Sequence, residues 1–242
     1  MEARRSAEYV ETGSVAETAP LSIRLQSWRA AARAAICGYI DAYTLLSFGV
    51  YASFMTGNTT SAGIRIGQSH FTVAAHSLLP VPFFLLGILA ATLLAQENER
   101  RTRYRLSAIA GGLLAFEVAA FHLGCPLWLN MGILSVAMGF ANTSITHVGA
   151  QAVSLGFMTG DLNNLARQVA LGIRRKPAPQ SEGPWDTPWR RANLLASLWI
   201  AFFSGAILGT ILTPHLASWT ALLPALLLLL FAWWEFRAAL AE

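Results

Sequence analysis

Charge is scarce in this chain of 242 residues. Asp, Glu, Lys and Arg together make up 12% of it, hydrophobic residues make up 55%, and mean hydropathy is +0.48. Soluble domains carry about 25% charged residues, so an ordinary water-soluble fold is excluded and a membrane protein is expected. The net charge of +4 does not point to a nucleic-acid partner. The basic residues form short clusters between apolar stretches, which is how topology is written beside membrane spans. Cysteine is also scarce. Cys37 and Cys125 cannot build a disulfide framework, and they read as small apolar residues in helix ends near opposite membrane faces. Residues 1–20 lack the apolar core of a cleaved signal peptide and hold four Glu and two Arg. A disordered polar cytoplasmic tail is therefore expected over residues 1–27. No serine nucleophile elbow, phosphate loop, dinucleotide fingerprint or paired-histidine metal spacing is present. An enzyme, a cofactor and a metal are accordingly not expected.

Long apolar runs are abundant. A helix needs about 20 apolar residues to cross the bilayer, and six stretches qualify: 28–50, 71–95, 106–124, 127–148, 192–213 and 216–236. Pro80 and Pro82 predict a break early in the second. Sixteen of the 17 Lys and Arg fall before or at the start of the first stretch, after the second, after the fourth or after the last, leaving Arg65 alone on the other side. The rule that basic residues stay inside makes both termini cytoplasmic. Trp28, Trp128, Trp189, Trp219, Trp233 and Trp234 lie at the predicted span ends, where an amphipathic ring prefers to sit. The proline-rich segment 174–191 is expected to be a cytoplasmic linker.

Phe-Met-Thr-Gly occurs twice, at Phe54 to Gly57 and at Phe157 to Gly160, 103 residues apart. Asn58 follows the first copy and Asp161 the second. Upstream, Gly38-Tyr39-Ile40-Asp41 parallels Gly139-Phe140-Ala141-Asn142. Downstream, Phe84 to Gly87 parallels Phe202 to Gly205, and Ala91 and Gly209 follow at the spacing that lets helices approach closely. The predicted architecture is all-α, with a three-helix repeat over 28–124 and a second over 127–236. Three spans is an odd number, so the second copy enters from the opposite side, giving a 3+3 inverted-topology repeat.

The Asp41-Ala42 step, Met55 to Asn58, its echo at Met158 to Asp161, and the six spans resemble the YoaK-type family of bacterial integral membrane proteins. The likeness covers roughly Arg29 to Phe236. It implies a polytopic membrane architecture and carries no reaction with it. Asp161 in place of Asn58 means that the halves need not do the same job.

Asp41, inside the first span, is costly to insert and should face the bundle interior. It serves either as a proton or cation site paired with Asn142 or as a pin between helices. Glu117, near the centre of the third span, suits a protonation step or a permanent hydrogen bond. Met55, Thr56, Gly57 and Asn58, with Met158, Thr159, Gly160 and Asp161, either line a path or end and cap helices. Leu162, Leu165, Val169 and Ile173 share one helical face, which favours capping for the second copy. The expected function is movement of a small solute or ion, with proton coupling as an option, along a path set by Asp41, Asn58, Asn142, Asp161 and Glu117. The two phrases would form opposed entrances to it. The alternative is a non-transporting scaffold or assembly partner. Gly87/Ala91 and Gly205/Gly209 are candidates for helix packing, including that of a homodimer.

Overall fold

The computed structural model describes residues 21–95, 99–156 and 158–240. Among these are nine helices: α1 (Leu21–Phe48), α2 (Met55–Gly67), α3 (Phe71–Leu78), α4 (Pro80–Leu94), α5 (Glu99–His122), α6 (Leu127–Thr143), α7 (Met158–Ile173), α8 (Pro188–Leu216) and α9 (Leu222–Leu240). A short antiparallel hairpin, β1 (His147–Val148) and β2 (Gln151–Ala152), precedes α7, and a 3-10 turn (Ala217–Ala221) joins α8 to α9. Most of the expected tail lies outside the described residues. Its last part, 21–27, is helical: α1 runs from Leu21, since no breaker follows Pro20.

Three stretches are long and apolar enough to cross a membrane: Phe71–Leu94, Arg101–His122 and Pro188–Ala239. The last contains both α8 and α9. Of the other two expected spans, α1 carries Arg24, Arg29, Arg33 and Asp41, and α6 has 17 residues, a rise of about 25 Å. The predicted proline break is present: α3 stops at Leu78 and α4 starts at Pro80, where the missing proline N–H costs least. The fourth stretch ends earlier than expected, at Thr143. The Thr143 and Ser144 hydroxyls bond back to the Gly139 and Ala141 carbonyls, and the chain turns into the hairpin.

Packing is crossed between the two halves. Helix α1 lies along α8, α4 lies along α6, and α5 lies along α9. The closest approaches occur at matching residues. A Cβ on Gly38 would strike the Phe202 carbonyl, and one on Gly139 would stand 2.7 Å from the Phe84 carbonyl oxygen. Likewise, a Cβ on Gly205 would strike Ala35, and one on Gly87 would stand 2.5 Å from the Val136 oxygen. Ala35 and Val136 are separated by the same 101 residues as Gly38 and Gly139, while Gly87 and Gly205 are 118 apart. On α5, a Cβ at Gly111 would meet Leu229, which lies 118 residues further on.

These small-residue faces are filled from within the chain, with Gly209 against Tyr39 and Ala91 fully buried. They are not available for a homodimer. The core is formed by Ile40, Tyr43, Leu106, Leu114, Leu134, Met138, Leu198 and Leu228, all enclosed. Leu85, Leu89, Leu93, Phe203, Leu208, Ile211, Leu226 and Leu230 are exposed on the outside. So large an apolar exterior fits hydrocarbon, which is as apolar as leucine. Cys37 sits mid-helix and fully buried rather than at a helix end, while Cys125 lies in the connection between α5 and α6.

Candidate functional site

Each half contains a break in which the chain folds back before a helix. In the first, Asp41 on α1 grips residue 53: its Oδ1 accepts from the Ser53 backbone N–H at 2.7 Å and its Oδ2 accepts from the Ser53 hydroxyl at 2.7 Å. Asn58, in the first turn of α2, accepts from the Tyr51 N–H at 2.9 Å and donates to the Tyr51 carbonyl at 2.7 Å. The second break repeats both contacts. Asn142, at the end of α6, accepts from the Gly156 N–H at 3.0 Å. Asp161, in the first turn of α7, accepts from the Ser154 N–H at 3.4 Å. Asn58 and Asp161 each reach back seven residues, and Ser53 and Gly156 are 103 apart, like the two phrases. Side chains supply these bonds because the fold-back leaves backbone N–H groups without a ladder, and an unpaired buried N–H is costly.

The two breaks also touch: a Cβ on Gly156 would lie 3.3 Å from both Cβ and Oγ of Ser53. This corrects one expectation. Asp41 and Asn142 do not pair across the interface; each binds its own break loop, and the loops meet at Ser53 and Gly156. Gly57, Asn58, Gly160 and Asp161 belong to first helical turns and do not end a preceding helix. Asp161 there also complements the positive end of α7. Phe157 lies outside the described residues.

The faces of these two short helices differ from the expected ones. On α7 the buried residues are Asp161 and Gln168, while Leu162 and Ile173 are exposed. On α2 they are Asn58 and Ala62, with Ile64 and Ile66 outward. One polar side chain at the start of each helix, Asn58 or Asp161, is turned into the protein, as an expensive polar group in a membrane should be.

A cavity of about 500 Å³ opens beside the junction. Tyr51 and Phe54 from the first break, Gly156, Met158 and Thr159 from the second, and Asp41, Phe202, Ala206 and Thr210 line it. Exposed Leu45, Leu46, Leu162 and Trp199 also line it, so it opens sideways between α1, α7 and α8. Of the expected path residues, Asp41, Met158 and Thr159 reach this cavity. Met55, Thr56, Gly57, Asn58, Asn142, Gly160 and Asp161 do not line it. Glu117 lies elsewhere on α5, fully buried, with neither carboxyl oxygen hydrogen-bonded and the Tyr43 hydroxyl of α1 facing it.

A second polar cluster is absent from the sequence-based expectations. Arg33 on α1, fully buried, bonds Ser107 of α5 at 2.8 Å and both carboxylate oxygens of Glu235 of α9 at 3.1 and 3.2 Å. Arg29 adds an ion pair to Glu235 at 3.6 Å. The available signal was Arg33 itself, a charge one turn inside an apolar run that reads as topogenic until its partner is seen. In the linker, Arg191 clamps Asp186 with two bonds of 2.8 and 2.6 Å. Burial opposes ionisation of Asp186, but these bonds, with the Glu182 N–H, outweigh it and hold the carboxyl below its ordinary range.

The family model described as "Protein of unknown function (DUF1275)" matches residues 30–234. The chain belongs to this family. It is 32% identical to UPF0700 transmembrane protein RA0705 of Rhizobium meliloti (strain 1021) over 202 residues, 80% of each chain. It is 27% identical to UPF0700 transmembrane protein YoaK of Bacillus subtilis (strain 168) over 140 residues, 55% of this chain and 62% of that one. The expected YoaK-type family is thus the one found, and the chain is a membrane protein. No solved structure matches it.

Proposed function

We propose that the chain is an inner-membrane transporter of six transmembrane helices, built as a 3+3 inverted-topology repeat with both termini cytoplasmic. In this reading it moves a small solute with an apolar body and a hydrogen-bonding end. The repeat is supported by the crossed packing of α1 on α8 and α6 on α4, and by the contacts of Gly38 with Phe202 and Gly139 with Phe84. The placement of 16 of 17 basic residues supports the orientation. The function rests on one observation: a single cavity that both breaks line. Its volume is in the range of small-molecule sites. Its lining is mostly apolar, with Asp41, Tyr51, Thr159 and Thr210 as polar points, which suits an amphipathic solute better than a bare ion needing six or more oxygens. Interrupted helices meeting between two repeats are where transporters of this build hold their substrates. In this reading the activity is transport and not catalysis.

Purified protein in nanodiscs can be screened for thermal stabilisation by amino acids, sugars, organic acids and organic amines. Stabilising compounds are then followed into proteoliposomes as labelled solutes. The expected result is saturable uptake that is lost in Ala206→Trp, which fills the cavity from α8, with folding retained. Uptake unchanged by Ala206→Trp would remove this cavity from the path, and no uptake of any stabilising compound would refute transport. Cysteines placed at Gln68 and Ser181 in a background free of Cys37 and Cys125 test the topology. An impermeant thiol reagent applied to intact cells should label position 68 and spare 181.

A further inference from the structure

Glu117 and Glu235 are 118 residues apart, the interval that relates Gly87 to Gly205 and Gly111 to the Leu229 it touches. They are therefore matching carboxyls at opposite ends of the α5–α9 pair. Glu235 is neutralised by Arg33, which also bonds the Ser107 hydroxyl, and it is paired with Arg29. The corresponding residues in the other half are Leu134, which is 101 residues after Arg33, Ala225, which is 118 after Ser107, and Asn130, which is 101 after Arg29; all are fully buried. The acid is kept while both cations and the hydroxyl that Arg33 bonds are replaced by uncharged side chains.

Such a carboxyl needs its charge removed or matched, since an isolated buried carboxylate is prohibitively costly. Among the described residues of the elements packed around it, no charged residue is placed to match it. Helix α6 contains none, and those of α9 are Glu235 and Arg237 at the far end. The 3-10 turn has none, and α1 presents Tyr43. Ser107, at the Glu235 cluster, is ten residues from Glu117, about 15 Å along the helix. A hydrated metal ion needs space and several oxygens, and neither oxygen of Glu117 has exposed surface. A proton needs neither.

We propose that Glu117 is a proton-binding site, held as the neutral acid in this conformation with the Tyr43 hydroxyl as its gate to the α1 side. Its release and rebinding would couple proton movement to transport. The coupling rests on the transport reading above; the protonation itself rests on the α5–α9 pairing alone.

Infrared difference spectroscopy of the protein in nanodiscs at neutral pH tests it. Wild type should show a protonated-carboxyl C=O band that disappears in Glu117→Gln and persists in Glu235→Gln. Should Glu117→Gln fail to fold, Tyr43→Phe serves instead: the same band must shift when the facing hydroxyl is removed. Arg33→Leu with Arg29→Asn, which removes both cations from Glu235, should add a second band that the further change Glu235→Gln abolishes. A spectrum unchanged by Glu117→Gln, or by Tyr43→Phe, overturns the assignment. A Glu117 band accompanied by solute uptake without any pH change in the vesicles removes the coupling and leaves the proton site standing. Failure of all uptake with the band intact counts against the transport reading alone.

Discussion

Replacing Asp41 separates an anchor from an ion site. Both of its oxygens are occupied by Ser53 at 2.7 Å, and Asn142 does the equivalent work for Gly156 with a neutral amide. If Asp41 is there to hold the break, an amide should nearly suffice. Asp41→Ala leaves the Ser53 N–H unpaired, at about 1–3 kcal/mol, and forfeits a charge-assisted bond of about 1.5–3 kcal/mol. The total is roughly 3–5 kcal/mol. Asp41→Asn keeps the N–H bond, and the Ser53 hydroxyl can turn from donor to acceptor, so the loss is about 1 kcal/mol. Asn142→Ala removes one neutral acceptor and should fall between them. For a chain of this size, 1 kcal/mol corresponds to about 2–4 °C in Tm. Tryptophan-fluorescence melts in detergent should therefore drop by roughly 6–20 °C for Asp41→Ala and by about 2–4 °C for Asp41→Asn. Equal drops for the two would mean that the charge, not the bond pattern, is what the break requires, and the anchoring argument would be wrong.

Gly205→Val should abolish folding or lower Tm by the largest amount of any single change here, because the new side chain meets the Ala35 backbone, which cannot rotate away. Gly112→Ala, with open space at its Cβ, should be neutral or slightly stabilising in the same melts. The Asp186–Arg191 clamp should be stable well into acid. A folded-state pKa below the unfolded value means that the stabilisation is present above about 3.9 and is lost only as pH falls through the lower folded value. Protease nicking of the linker 174–191 should thus begin below the ordinary aspartate range in wild type. In Asp186→Asn it should already occur at neutral pH; a linker equally resistant in both would show that the clamp does not hold it.

The apolar runs and the proline break at Leu79 were legible in the sequence because each follows from local composition or spacing. The fold-back of the breaks was not. Asp41 and Asn142 are aligned in the sequence, which suggests a pair, but alignment of duplicated residues gives equivalence and not contact. Ser53 and Gly156 touch, whereas Asp41 and Asn142 each bind their own loop. The α7 face was misjudged for a different reason. Apolar periodicity finds the buried side of a helix in water, whereas here Asp161 and Gln168 turn inward and Leu162 outward. Arg33 was counted with the topogenic charges because its partner Glu235 lies 202 residues away.

The mismatch between Arg33 and Leu134 has a consequence for how the protein is made. On the proposed topology, the basic residues at the cytoplasmic end of each helix have neutral counterparts at the outer end of its partner. Arg29 corresponds to Asn130, Arg103 to Ala221, Arg191 to Val73 and Arg237 to Ala119. An arginine at 134 would put positive charge toward the outer face during insertion and pull α6 the wrong way round. Acidic residues carry little weight in that decision. On that topology, insertion tolerates Glu117 while disfavouring beside it the cation that Glu235 has. Orientation at birth would then be enough to leave one of two matching acids without its counter-ion.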